Sequence, residues 1–276
     1  MNRFIQLTDP TFQTQLAGKC DLLLEILPGG MNFAVVDKGQ DELKVLVGTK
    51  DMEPVAEKIK ELIPTELALS YHYRKVKAGL FSLNFTLIPE DLFDQDMLAD
   101  YAKFFSFEEG DLILTDSIRA AKCVIVFTIP AAIVNVLKET FHQPQFYHTA
   151  TSLIEAGTKL SKQTEHKMAL LNFRNDCFEA VLLHEGRLLF YNSFPSRTAD
   201  EFNYFLLNLI DHLQLSAEQT DWILAGELNT GFTERLKKYT DRVSEANKQQ
   251  FLKVADTFNA AAGTDFYSLT ALSLCE

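Results

Sequence analysis

The sequence predicts an α/β fold of two similar lobes, each a mixed sheet flanked by helices, with a central cleft. Three observations carry this. The chain has 276 residues, nearly twice the roughly 150 of a usual domain, so one large or two moderate units are expected. Stretches of period two alternate with stretches of helical period, the pattern of sheets crossed by helices. The order of elements that starts near Cys20 also returns near Lys167: three antiparallel strands, a helix, then strand and helix in alternation. What repeats is element order, without alignable residues. The expected lobes are 1–147 and 148–276.

In the first lobe Asp21–Leu27 reads as a strand, Pro28-Gly29-Gly30 as a turn and Met31–Asp37 as the returning strand. Glycine supplies the positive φ that a tight hairpin turn needs. A polar loop, Lys38 to Glu42, leads to a third strand, Leu43–Val47. From Met52 to Ile63 the residues Val55, Ile59, Leu62 and Ile63 share one face of an amphipathic helix, which Pro64 ends. Lys75 to Leu87 reads as strand running into Ile88-Pro89, and Glu90 to Phe105 as helix with breaks. Cys123–Ile129 is a fully apolar, central strand, and Pro130 sits in the first turn of a helix through Phe141. A further helix is expected from His148 to Ser161.

The second lobe repeats the opening. Lys167–Phe173 and Cys177–Leu183 are strands about the tight turn Arg174-Asn175-Asp176, and the turn His184–Arg187 leads to Leu188–Tyr191. Helix Ala199–Leu213, strand Asp221–Ala225, helix Thr230–Tyr239 and a short strand Arg242–Glu245 complete it.

Composition narrows the function. With 47% hydrophobic and 23% charged residues, the chain is globular and long enough to bury a core without disulfides or metal. Lys plus Arg is 26 and Asp plus Glu is 38, a net charge of −12. That argues against nucleic acid and against docking on an anionic membrane, both of which reward a basic face. The start of the chain lacks the pattern of a signal peptide, and no apolar run approaches the roughly 20 residues that span a bilayer. A cytoplasmic protein without membrane insertion is expected.

Cys20, Cys123, Cys177 and Cys275 are scattered, without the close pair a zinc site wants, and read as small buried hydrophobes. Six single histidines show no metal-ligand spacing; His142 and His148 are expected to serve a loop and a helix start. The acidic run Glu90, Asp91, Asp94, Asp96, Asp100 reads as a solvated face. Of 22 Phe, Phe104, Phe105 and Phe107 are expected in the core, the alternative being an exposed partner site.

The two-half pattern resembles the actin-like ATPase superfamily (a ribonuclease-H-like fold), in which nucleotide binds in the cleft. More narrowly, Phe85–Phe93, Val124–Pro130, His148–Ile154 and the double hairpin Met168–Tyr191 are similar to a bacterial family known as domain of unknown function 3822. The resemblance spans from about residue 20 to the end.

It implies that the turns of the two equivalent hairpins cradle phosphates and that an acid at the end of the first strand holds magnesium. Glu25 falls at the acid's place and Gly29 and Gly30 lie in the first turn, but Ile26, Leu27 and Pro28 stand where a glycine is expected next. In the second hairpin Asn172 replaces the acid, no glycine remains, and Arg174 and Asp176 occupy the turn. Arg174 has the planar fork that suits a phosphate, but an Arg at a hairpin tip is more often simply solvated, and that is the expectation here. At the strand end that packs on adenine in the superfamily, Gly226 survives and Glu227 replaces its neighbour. Glu25, Gly29, Gly30, Asn172, Arg174 and Gly226 are therefore the candidate remnant of a nucleotide cleft.

Two readings follow. In the first, the chain is a catalytically inactive actin-like module, a binding or scaffold protein whose partner is another protein and which needs no cofactor. In the second, it is a nucleotide-binding protein, ATPase or kinase with atypical phosphate turns, taking ATP and magnesium. Homo-oligomerisation is open under both.

Overall fold

A computed structural model describes residues 2–106, 108–247, 251–254, 258 and 264–276. The strands are β1 (Asn2–Thr8), β2 (Cys20–Leu27), β3 (Gly30–Asp37), β4 (Glu42–Lys50), β5 (Lys75–Leu80), β6 (Phe85–Pro89), β7 (Asp111–Ile118), β8 (Cys123–Pro130), β9 (Gln145–His148), β10 (Lys167–Phe173), β11 (Cys177–His184), β12 (Arg187–Pro195), β13 (Thr220–Gly226) and β14 (Val243–Glu245). The helices are α1 (Val55–Leu62), α2 (Leu98–Tyr101), α3 (Ala131–Thr140), α4 (Thr149–Ser161), α5 (Ala199–His212) and α6 (Thr230–Leu236), followed by a short C-terminal helix, Tyr267–Ala271.

Two sheets share one topology. The first runs β1-β4-β3-β2-β5-β9 and the second β12-β11-β10-β13-β14. In each, three antiparallel strands are extended by parallel ones: β2 pairs β5 and β5 pairs β9, as β10 pairs β13 and β13 pairs β14. A parallel neighbour requires a crossover, and α1, α3, α5 and α6 supply it. The first sheet differs by the extra edge strand β1 and by a three-stranded sheet, β6-β8-β7, inserted between β5 and α3.

Both faces of the central strands are covered, as parallel neighbours require. Along β10, Met168 and Leu170 enter one core while Ala169, Leu171 and Phe173 enter another. The first core lies between the sheets and takes in α4 and Tyr267 and Ala271 of the C-terminal helix. The second gathers the phenylalanines against α5 and α6. Phe173, Phe178, Phe202 and Phe232 stack and tilt on one another with ring centroids 4.8–6.0 Å apart, and Phe194 and Phe205 extend the group. The C-terminal segment folds back on the first sheet. Leu269, Leu272 and Cys275 bury against Leu23, Ala34 and Leu46, and the buried Lys77 ammonium donates to the Ser273 and Cys275 carbonyls.

Several expectations change. The stretch Lys75–Leu87 is two strands in different sheets, because Ser82 Oγ accepts from Asn84 N in a local turn that breaks the run. Glu90–Phe105 is mostly single 3₁₀ turns, with only the one-turn α2 helical. Pro130 ends β8 and caps α3 instead of lying inside it. β1, β7 and β9 had no clean alternation to reveal them: β1 and β7 are largely half-buried or exposed, and β9 has four residues. Phe104 is 78% exposed, against the expected core position, and Phe105 is half-buried; Phe107 lies outside the described residues. All four cysteines are free and buried. Among the described residues no helix is long and apolar enough to cross a membrane.

Candidate functional site

The site is built where the two hairpins meet. In the first, Leu27 pairs Gly30 around the two-residue turn Pro28-Gly29, and Gly29 takes φ +68°, which its proline neighbour cannot reach. In the second, Arg174 N donates to Cys177 O around Asn175-Asp176, neither of which has positive φ. That turn needs no glycine, which is why none is present.

Two residues before each turn pair, the hairpins carry the same chemistry in opposite order. Glu25 on β2 faces Asn32 on β3, and Asn172 on β10 faces Glu179 on β11. In both, the amide nitrogen donates to the carboxylate across the ladder: Asn32 Nδ2 to Glu25 Oε2 at 3.1 Å and Asn172 Nδ2 to Glu179 Oε2 at 2.9 Å. Period two places Glu25 on the face of Leu23, toward the C-terminal helix, and Asn172 on the face of Leu170, toward α4.

Arg174 joins the two pairs. Its Nε donates to Glu179 Oε2 at 2.8 Å, and its terminal nitrogens reach Glu25 Oε1 at 3.4 Å. The guanidinium also lies over the Phe81 ring, 4.9 Å from its centroid. Further donors complete the carboxylates. Tyr191 OH and Thr149 Oγ1 donate to Glu179 Oε1 at 2.8 and 3.3 Å, and Ser268 Oγ of the C-terminal helix donates to Glu25 Oε1. The clasp is buried: the side chains of Arg174, Glu25 and Glu179 are 10%, 2% and 0% exposed.

Electrostatics follow from that burial. Desolvation alone would raise the Glu179 carboxyl, but the Arg174 charge, then the Asn172 and Tyr191 donors, hold it below the usual carboxylate range. Desolvation likewise opposes the charged guanidinium, and Glu179 and then Glu25 outweigh it and push Arg174 above its ordinary value. Tyr191, buried beside Glu179, is pushed well up.

A cleft of about 540 Å³ adjoins the clasp, lined by Asn32, Asn172, Arg174 and Ser268 and by the apolar Leu27, Phe81 and Phe173 among others. Of the sequence candidates, Asn172, Arg174 and Gly226 line it and Glu25 bonds to Arg174. Gly29 and Gly30 are not among its lining residues. Gly226 takes φ +80°, and a Cβ there would stand 2.0 Å from Phe173 O and 2.9 Å from Asn172 Oδ1. Its glycine is thus required by the neighbouring strand. Among the described residues no group of three His, Cys, Asp or Glu side chains is placed to hold a metal ion.

Asn32, Glu179, Tyr191 and Ser268 were not foreseen. The first two had a signal: Asn32 follows Glu25, and Glu179 follows Asn172, by seven positions, the separation that a two-residue turn brings face to face.

Solved structures place the fold. A protein of Bacteroides thetaiotaomicron with actin-like ATPase fold and unknown function superposes with a TM-score of 0.82 at 22% identity, covering 96% of this chain and all of that one. A type IV pilus biogenesis complex, PilM–PilN, matches with a TM-score of 0.61 at 14% identity, covering 92% of this chain and 97% of that one. At these identities the likeness is one of fold, and the fold is actin-like. No curated protein matches the chain. The family of proteins of unknown function DUF3822 matches residues 9–243, and the chain belongs to it.

Proposed function

We propose that the chain is a catalytically inactive actin-like module that works by binding another protein, as a scaffold or assembly partner. The observation that carries this is the Arg174 clasp. Phosphoryl transfer rests almost wholly on positioned donors and a metal. Here the acid at the metal-holding place, Glu25, already accepts from Arg174, Ser268 and Asn32. The second turn closes on itself through Arg174 N and Cys177 O. A magnesium-bound nucleotide would have to displace a buried guanidinium and strip donors from both carboxylates, so the residues present do not fit that group.

The partner class is supported by fold likeness and charge. PilM, similar in fold, is found in a complex with PilN, and a net charge of −12 disfavours nucleic acid. A cytoplasmic location is part of the proposal; among the described residues no helix is long and apolar enough to cross a membrane.

Thermal unfolding with and without ATP and magnesium tests the reading on wild type and Glu25→Gln. The expected result is the same midpoint with and without nucleotide in both proteins. A midpoint raised by nucleotide in wild type and not in Glu25→Gln would favour a metal-dependent nucleotide site, since a hard cation loses a charged oxygen ligand in that variant.

A further inference from the structure

We propose that the segment from Glu90 to Phe104, which leaves β6 and leads to β7, is a docking surface for a basic amphipathic helix of a partner protein. The inference rests on the reading that the chain works by binding protein, and it names where and what.

The segment breaks the usual rule for a protein surface. Leu92 is 70% exposed, Met97 43% and Phe104 78%, three large apolar side chains within fifteen residues. Single exposed apolar residues are ordinary; several in one stretch mark an interaction site. The stretch is also held in shape. Phe93 and Tyr101 stack at 5.8 Å, and the Tyr101 hydroxyl accepts from Asp94 N at 2.9 Å and donates to the Leu92 carbonyl at 3.2 Å. Asp94 in turn accepts from Asp96 N at 2.9 Å. The apolar groups are therefore presented on a preset backbone, which lowers the ordering entropy of binding.

Charge selects the occupant. Residues 90–104 contain five acids (Glu90, Asp91, Asp94, Asp96, Asp100) and one base, Lys103, a net −4. Glu90, Asp91, Asp94 and Asp96 are exposed beside Leu92 and Met97. Such a surface repels nucleic acid and anionic lipid, and it repels a second copy of itself. A helix with an apolar stripe flanked by Lys and Arg satisfies both the exposed apolar groups and the field.

The test uses the full chain and two labelled helical peptides, one of Lys and Leu at amphipathic spacing and one with Glu in place of Lys, followed by fluorescence anisotropy. The Lys/Leu peptide is expected to saturate and the Glu/Leu peptide not to bind. Substituting Leu92, Met97 and Phe104 together by Ser should weaken the Lys/Leu peptide about tenfold or more. Asp91→Asn, Asp94→Asn and Asp96→Asn together should weaken it comparably and flatten its salt dependence. Tyr204→Ser with Leu207→Ser, which alters the exposed apolar residues of α5, should leave it unchanged. Equal binding of both peptides, no loss in the segment variants, or loss in the α5 variant instead would overturn the proposal. So would self-association abolished by the Leu92 and Phe104 substitutions, which would make a second copy the occupant. All substituted side chains are exposed or half-buried, and circular dichroism checks that each variant is folded. Nucleotide binding in the cleft would sink the reading above and leave these peptide outcomes to be read separately.

Discussion

The two hairpins β2–β3 and β10–β11 carry the same cross-strand pair, an acid facing an asparagine, with the acid on the first strand in one and the second strand in the other. They differ in what stands beside the turn. The first has Leu27, which lines the cleft; the second has Arg174, whose guanidinium turns inward and serves both acids. Glu179 meets it at 2.8 Å and has three further donors, while Glu25 meets it at 3.4 Å and has two. Similar backbones thus make different sites: one hairpin owns the cation and the other borrows it.

Removing the shared cation should have the largest effect. Arg174→Ala leaves two buried carboxylates with neutral donors and no cation, and is expected to cost about 3–5 kcal/mol in urea unfolding. A loss below about 1 kcal/mol would mean that the guanidinium is solvated and that no clasp forms.

Neutralising the acids one at a time separates the hairpins. Glu179→Gln removes the closer and more deeply bonded partner of Arg174 and should cost about 2–3 kcal/mol. Glu25→Gln keeps one oxygen to accept from Arg174 and Ser268, loses the acceptor of Asn32 Nδ2 and leaves the guanidinium its tighter partner, so it should cost about 1 kcal/mol, less than Glu179→Gln. Equal losses would contradict the asymmetry read from the distances.

A third acid shows what the cation does by lacking one. Asp116 on β7 is also buried, but its donors are neutral: His148 N at 2.9 Å and the Thr151 hydroxyl, both at the start of α4. Burial pushes its carboxyl up to about 7, where Arg174 holds Glu179 down. Between about pH 4 and 7 the folded state keeps a proton on Asp116 that the unfolded chain has released. The contribution of Asp116 to stability is therefore full below about pH 4 and falls as pH rises to 7. His148, which burial drives down to about 4, gives the opposite slope between about pH 4 and 6.5. Relative to Asp116→Asn, wild type should lose on the order of 2–4 kcal/mol across that rise. A difference that does not change with pH would contradict the assigned shift.

Much of the fold was legible because its signals are local. Apolar runs about short turns mark β2, β3 and β10, and alternation marks β11, to within a residue or so; Cys123–Ile129 is apolar but for Thr128 because it is the middle strand of its sheet and every one of those residues is buried. His148 was expected at a helix start, and it is the N-cap of α4, with Nδ1 accepting from Ala150 N. The clasp was half legible. Glu25, Asn172 and Arg174 stand out by their place in the hairpins, but Arg174 is expected there as a solvated tip, and the structure instead buries it at 10% exposure between Glu25 and Glu179, because the sequence does not show which way a turn-flanking side chain folds. Ser268 lies 243 positions from Glu25, and only the return of the C-terminal helix to the first sheet joins them. The exposed Phe104 misled for a related reason: an apolar residue signals burial, and whether a fold or a partner provides it is not written locally.

The central claim is that an internal cation closes the place where a nucleotide's phosphates and metal would sit. Isothermal titration of the full chain with ATP and magnesium, with hydrolysis followed in parallel, tests it most directly. The account predicts no saturable heat and no turnover; sub-micromolar binding with turnover would contradict it.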